Sequence, residues 1–512
     1  MKKNELKMGV ILSYVTMFIS FVIPLFYTPI MLRILGQNEY GVYSLANSVI
    51  SYLALLNFGM GQSIIRYVSQ YRAKNQFDKV NKIISLFFLV FMFLAFIVLI
   101  AGIILYIGST SWFSKGLTIA EISTLKKLII IMTISTAVSF VSSVFSATTT
   151  AFEKYIFRRL IELINTMILP ILNLVVLYLG YKSIGMSIIA LLLSIILCFI
   201  YIYYCIKKLK VRISFKNLPF NLLKDIFSFS FFVFLSTIVD MLYWATDKVL
   251  IGSLLGSAAI AIYNIGGTFT SMYQNLSGAV GNVFGPRVNQ MVAKENTSDR
   301  YDELLIRIGR IQFYIISLAL TGYVVFGKLF IHFWAGDVYM DAYVIAIMTM
   351  FPLSIPLIQN IALTVAVAKN KHQFRAIMYF FIAIANIVGT YILIPKYGII
   401  GAAFCTSVSF IVGHGIIMNL FYYKVLKIDI PLFWKNILSI SKVPLFMMII
   451  GIIFVHFVSI SSFKLFFICV FVYSCVYLIL LYLISFNEYE KLLLVSPLFK
   501  IFNKVKSIIN KA

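Results

Sequence analysis

Apolar residues in this chain come in long blocks, each about 20 residues or more, separated by short polar or charged stretches. A block of that length crosses a hydrocarbon core of ~30 Å as a helix. Water is absent there, so each backbone N–H and C=O has to bond within its own segment, which a helix allows. Strands of a membrane barrel would be shorter and would alternate in polarity. The blocks predict spans near 9–32, 41–64, 83–108, 128–150, 160–180, 185–206, 228–250, 258–285, 304–328, 342–368, 374–394, 398–422, 437–459 and 464–485. The expected fold class is an all-α polytopic membrane protein of about fourteen transmembrane helices.

Composition agrees with the pattern. Of 512 residues, 61% are hydrophobic and only 12% charged, too few polar groups to cover a soluble chain of this length. The formal net charge of +25 would suggest nucleic acid in a soluble protein. Here the basic residues sit at the ends of the apolar blocks, so they mark topology and no nucleic-acid partner is expected. With the N-terminus in the cytoplasm, 34 of the 43 Lys and Arg fall on the inner side and 9 on the outer. This asymmetry predicts a cytoplasmic-membrane protein with both termini inside. Lys207 to Lys224 and the C-terminal run bearing Leu498, Phe502, Val505 and Ile509 among lysines read as basic amphipathic segments resting on anionic membrane lipids. The five cysteines lie in apolar blocks without metal-ligand spacing, and no nucleotide or dinucleotide fingerprint occurs, so no metal or cofactor is expected.

An internal repeat organises the spans. Leu35-Gly36 with Tyr43 matches Leu255-Gly256 with Tyr263; Lys154, Phe157 and Arg158 match Lys371, Phe374 and Arg375; Asn173, Val175, Tyr178 and Gly185 match Asn386, Val388, Tyr391 and Gly398. The offsets are 220, 217 and 213, in the same order along the span pattern. Six spans per repeat give both halves the same orientation, related by a pseudo-twofold along the membrane normal with a cavity between them. The expected domains are an N-terminal lobe over 1–206, a cytoplasmic amphipathic linker over 207–227, a C-terminal lobe over 228–424, two further helices over 425–485 and a basic tail over 486–512. The two further helices are expected at the periphery.

The repeat also aligns polar side chains. In span eight, Asn264, Thr268, Ser271, Asn275 and Asn282 recur at steps of four, three and seven, one face of a helix. The offset of 220 pairs Asn264, Thr268, Ser271 and Asn282 with Ser44, Ser48, Ser51 and Gln62 in span two. Such residues can simply hydrogen-bond between helices. Matching stripes in repeat-related helices are also what two walls of a hydrated substrate cavity require. The stripes end at Arg66 and Arg287, which serve either as interface markers or as phosphate-binding groups, since a guanidinium bonds oxyanions bidentately. Asp240, mid-span, is an ion-coupling candidate or a partner for a neighbouring helix, because a carboxylate at that depth has to be paired, wetted or protonated. No long outer loop carries a catalytic constellation, so no enzyme is expected and no catalytic residue is assigned.

Several runs resemble bacterial lipid-linked oligosaccharide flippases. They are Leu35-Gly36 with Tyr40-Gly41-Val42-Tyr43, Asn57-Phe58-Gly59, Ile65-Arg66-Tyr67, Thr246-Asp247-Lys248 through Gly252, Ala368 to Lys371, and Ile394-Pro395-Lys396-Tyr397-Gly398 through Thr406. That polysaccharide-transporter branch belongs to the multidrug/oligosaccharidyl-lipid/polysaccharide exporter superfamily. The resemblance implies alternating access and an undecaprenyl-pyrophosphate-linked oligosaccharide as substrate, moved from the inner to the outer leaflet for capsule or O-antigen-like polymers. Polysaccharide polymerases and glycosyltransferases would be its partners, and without an ATPase motif an ion gradient would supply the energy. The alternatives are a drug/cation antiporter of the same fold and, from another class, a membrane polysaccharide polymerase or ligase.

Overall fold

The computed structural model describes residues 2–227, 230, 234, 237–238, 241, 245–293, 298–369, 371, 373–458 and 460–492. Among these, eleven helices are long and apolar enough to cross a membrane. One of them, Ile377–Lys424, has 48 residues. At 1.5 Å per residue it would extend about 72 Å, more than twice the hydrocarbon thickness. It breaks at Gly398 (φ 60°, ψ −143°), so it comprises the two crossings expected there. The eighth expected span is the 37-residue helix Ser257–Ala293, and the described end of the seventh is Thr246–Leu254. Asp240 and the C-terminal stretch 498–509 lie outside the described residues.

The chain divides into two compact units, the first holding the residues up to Ile265 with Tyr379–Cys405, the second Gly266–Met378 with the residues from Thr406 onward. In the first unit, α1 (Lys2–Leu35) contains Pro24 and Pro29, and Gly36 (φ 75°) turns the chain into α2 (Gln37–Ala54). The expected span 41–64 is not one helix. A short turn at Leu55–Asn57 leads into Phe58 (φ 50°) and Gly59 (φ 65°), and α3 (Met60–Ala73) starts afresh. Two successive left-handed residues cannot continue a right-handed helix, and Gly59 adopts that conformation without steric cost. Next come α4 (Phe77–Phe113), α5 (Ile119–Ala151), α6 (Tyr155–Tyr178) and α7 (Lys182–Tyr203). The α5 start is fixed by a capping box, with Thr118 accepting from the Glu121 N–H and Glu121 accepting from the Thr118 N–H. Between lipid-bathed helices close packing replaces the hydrophobic drive. Gly102 of α4 shows this, since a Cβ there would fall 2.3 Å from Thr133 Cγ2 of α5.

The linker after α7 differs from the amphipathic helix expected over 207–224. Residues 209–219 contain no helix and lie extended along α4. The Arg212 N–H donates to Asn81 Oδ1 at 3.0 Å and the Ser214 N–H to Ser85 Oγ at 2.9 Å. Side chains on α4 thereby take the backbone groups that a helix would have used internally, and Lys210 (φ 56°) and Asn217 (φ 52°) are left-handed. This unit continues through α8 (Thr246–Leu254), Gly256 (φ 95°) and the first nine residues of α9 (Ser257–Ala293).

The second unit holds the rest of α9, α10 (Ser298–Trp334), α11 (Ala342–Ile358), α12 (Asn360–Ala368), parts of α13 (Gln373–Phe410), α14 (Asn419–Lys424), α15 (Ile430–Ile440), α16 (Lys442–Phe457) and α17 (Phe463–Leu480). Span 342–368 is broken at Gln359 (φ −103°, ψ 14°), three residues after Pro356. Helix α10 anchors the chain that follows α17. Arg310 donates from Nε and one terminal nitrogen to the two oxygens of Glu490 (2.6 and 2.9 Å), and Tyr314 donates to the same carboxylate at 3.0 Å. Both charges are nearly inaccessible, with 10% and 3% of their side chains exposed.

The repeat is visible inside each unit. Phe157 stacks on Tyr204 with ring centroids 3.6 Å apart, and Phe374 stacks on Phe421 at 4.7 Å. The offset of 217 that pairs the two phenylalanines also pairs Tyr204 with Phe421. One aromatic clasp thus ties the start of a span to the end of the next in both halves.

Candidate functional site

The first unit holds an open cavity of about 590 Å³, within the size range of small-molecule sites. Helix α2 forms one wall, presenting Tyr40, Ser44, Asn47, Ser48 and Ser51 at steps of three and four residues. Helix α1 adds Tyr27, α6 adds Asn173 beside Pro170, α8 adds Lys248 and α9 adds Asn264. Most of the lining surface is apolar, from Met31, Leu169, Pro170, Met186, Met241 and the tyrosine rings, and the hydroxyls and amides are set among it.

A charged pair is built into this wall. Asp247 is 1% exposed and accepts from the Tyr263 hydroxyl at 2.5 Å, with the Thr390 hydroxyl at 3.5 Å. Its neighbour Lys248 faces the cavity and donates to Asn264 Oδ1 at 2.6 Å; Asn264 Nδ2 in turn donates to the Tyr40 hydroxyl at 2.5 Å. A lone ammonium at this depth is costly, and the adjacent carboxylate offsets it while leaving the ammonium accessible to the cavity. The arrangement can bind an anion and several hydroxyl groups together.

Beside the lining residue Tyr40, the start of α2 meets the α8–α9 turn. A Cβ on Gly41 would fall 1.9 Å from the Ser257 carbonyl oxygen. The Ser257 hydroxyl donates to Glu121 at 2.5 Å, and Gln37 donates to the Ala258 carbonyl at 3.4 Å.

Of the residues singled out from sequence, Ser44, Ser48, Ser51 and Asn264 line this cavity. The hydroxyls of Ser48 and Ser51 also bond back to the carbonyls of Ser44 (3.0 Å) and Ser48 (2.6 Å) in their own helix. Gln62 follows the break after α2, so the stripe does not continue to it in phase, and it is exposed on α3. Thr268, Ser271 and Asn275 belong to the second unit; Ser271 and Asn275 are exposed, Thr268 is half-buried, and the Ser271 hydroxyl donates to the Gly267 carbonyl at 2.9 Å. Asn282 and Arg287 lie on α9 with side chains outside the described residues. Arg66 is exposed on α3, its guanidinium 5.8 Å from the Tyr67 ring centre.

Sequence reading missed Lys248, Asn47, Asn173 and the tyrosines. Lys248 counts among the outer-side charges that report topology. The available signal was an Asp-Lys pair inside an apolar block, where two adjacent opposite charges are seldom tolerated without a use.

Residues 6–292 match the family described as "Polysaccharide biosynthesis protein". A Shigella flexneri protein named as a candidate O-antigen transporter is 22% identical over 73% of this chain and 88% of its own length. Among solved structures, the lipid II flippase MurJ in an inward closed conformation superposes with a TM-score of 0.72 at 17% identity, covering 92% of this chain and 97% of that one. An inward-facing multidrug resistance MATE family transporter of the MOP superfamily superposes with a TM-score of 0.64 at 14% identity, covering 80% and 96%. At these identities the structures establish a shared fold.

Proposed function

Because this chain belongs to the polysaccharide biosynthesis protein family, we propose that it is a flippase for undecaprenyl-pyrophosphate-linked oligosaccharides. It carries repeat units from the cytoplasmic to the outer leaflet for capsule or O-antigen-like polymers. The observation that carries this reading is a cavity within a membrane bundle whose largely apolar lining includes one lysine, Lys248, together with the amides of Asn47, Asn173 and Asn264 and the serines of α2. A sugar pyrophosphate cannot enter hydrocarbon without replacing its lost water. Asn47, Asn264 and the serines of α2 offer substitutes for the hydroxyls, and Lys248 for the phosphate counter-charge.

With the N-terminus cytoplasmic, α2 runs inward, so the cavity lies in the outer half of the bundle. Arg66 then meets the pyrophosphate first and Lys248 receives it further out, with Arg287 as a second proposed phosphate-binding residue. The close approach of Gly41 to Ser257 is proposed as the outer gate, which has to loosen for release. An ion gradient drives the cycle, with Asp240 as the proposed coupling carboxylate. An antiporter for organic cations on the same fold is less well supported, since no carboxylate is among the described residues lining the cavity.

A strain lacking the gene should accumulate lipid-linked repeat units on the inner leaflet and lose surface polymer, and the intact gene should restore both. Unchanged lipid-linked pools with intact polymer would refute the reading.

A further inference from the structure

Among the described residues lining the cavity, Asn173 is the one with a buried side-chain polar atom that has no hydrogen-bond partner. It is 5% exposed and faces the cavity from α6. Its Nδ2 donates to the Tyr27 hydroxyl at 3.3 Å, while its Oδ1 is buried with no hydrogen-bond partner. Turning the amide over would pair Oδ1 and leave Nδ2 unpaired instead, so one polar atom is left over in either assignment. Buried amide groups are nearly always bonded.

The internal repeat shows where the partner was lost. The offset of 213 that pairs Asn173 with Asn386 also pairs Leu177 with Thr390. In the second half the Thr390 hydroxyl stands 3.5 Å from Asn386 Oδ1, its single proton shared between that oxygen and Asp247 Oδ1 at the same distance. In the first half Leu177, 1% exposed, takes the equivalent place and offers no donor. Asn386 Oδ1 thus has a hydroxyl neighbour inside the protein, whereas Asn173 Oδ1 has none among the described residues.

We infer that Asn173 is a specificity-determining residue that hydrogen-bonds a hydroxyl of a neutral sugar unit in the transported head group. A hydroxyl both donates and accepts, so it completes the amide in either orientation. An ionised phosphate oxygen only accepts, so it serves the amide in one orientation alone, and a hydrocarbon tail can serve neither atom. Tyr27 and Tyr43 beside Asn173 supply apolar ring faces with hydroxyl edges, which suits a ring that is apolar on its faces and polar at its rim. The division of labour is then between Lys248, which takes negative charge, and Asn173, which reads a sugar hydroxyl. This inference rests on the flippase reading and adds to it a residue that selects the glycan.

The test uses the full chain in lipid nanodiscs titrated with four methyl glycosides (glucoside, galactoside, N-acetylglucosaminide and fucoside), followed by saturation-transfer NMR. At least one glycoside should bind saturably, and Asn173→Leu should weaken it by about 3- to 10-fold, the effect of one neutral hydrogen bond. Leu177→Thr keeps Asn173 but supplies an internal hydroxyl at the place equivalent to Thr390, and it should weaken the same glycoside by a similar factor. Unfolding temperature is recorded alongside; if Asn173→Leu lowers it strongly, Leu177→Thr decides. Absence of binding to all four glycosides, or a folded Leu177→Thr protein that binds as tightly as the wild type, overturns the inference. If the deletion strain still accumulates lipid-linked repeat units, that failure removes the role of Asn173 alone; if it does not, the flippase reading falls as well.

Discussion

Replacing Gly41 by alanine should open the outer end of the cavity. A Cβ at this position would fall 1.9 Å from the Ser257 carbonyl oxygen and 2.5 Å from its carbonyl carbon, where ordinary contacts begin at 3.4 Å. The obstacle is backbone, so no rotamer change relieves it, and α2 or the α8–α9 turn has to move by roughly 1.5 Å, an overpacking cost of about 1–3 kcal/mol. That penalty falls only on the closed arrangement, so the ratio of open to closed molecules should rise by about 5- to 150-fold. Local helix propensity does not change this ratio, since the advantage of alanine over glycine, about 1 kcal/mol, applies to α2 in both arrangements. The assay places Asn47→Cys in the cavity, in a background without the five native cysteines, and measures labelling from outside by a membrane-impermeant thiol reagent. Gly41→Ala should raise the labelling rate, and Gly41→Val should raise it further. Unchanged labelling in a folded protein would refute the closing role of this contact.

Two further predictions follow from the packing. Glu490→Gln should destabilise the second unit by about 3–5 kcal/mol, because Arg310 is left charged and buried without its carboxylate. Arg310→Met with Glu490→Leu should recover much of that loss, as read by thermal unfolding in detergent. Asn81→Ala should release the 209–219 strap from α4 and speed trypsin cleavage at Lys210 and Arg212, with no change in helix content; equal cleavage rates would show that the strap is held elsewhere.

Much of the architecture was legible because a membrane imposes it. Long apolar blocks in lipid have no alternative to helices, and the repeat survived in the spacing of Asn173 with Asn386 and of Phe157 with Phe374. The interruptions were less visible. The breaks after Ala54 and at Gln359 occupy a few residues inside apolar blocks, where a hydropathy window averages them away. The first break matters for the site, because a 3.6-residue period holds phase only within one helix; Ser44, Ser48 and Ser51 share a wall while Gln62 does not. The strap 209–219 has the composition of a basic amphipathic helix, yet its backbone donors are taken by Asn81 and Ser85, more than a hundred residues earlier in the chain. No local pattern encodes such a capture. Lys248 was hidden for another reason: a charge near a span end fits the topology rule, and only the Asn264–Tyr40 network shows it turned into a cavity.

The central claim is that Lys248 holds the anionic head group of a lipid-linked glycan that the protein moves between leaflets. Its most direct test is a proteoliposome assay with a fluorescent undecaprenyl-pyrophosphate-linked disaccharide, in which dithionite reports the label reaching the outside. Wild-type protein should move the label faster than protein-free liposomes. Lys248→Met should slow that movement by about 10- to 150-fold, the loss of one charged hydrogen bond, while Lys248→Arg retains most of it. No movement above protein-free liposomes, or a Lys248→Met rate equal to that of the wild type, would contradict the claim.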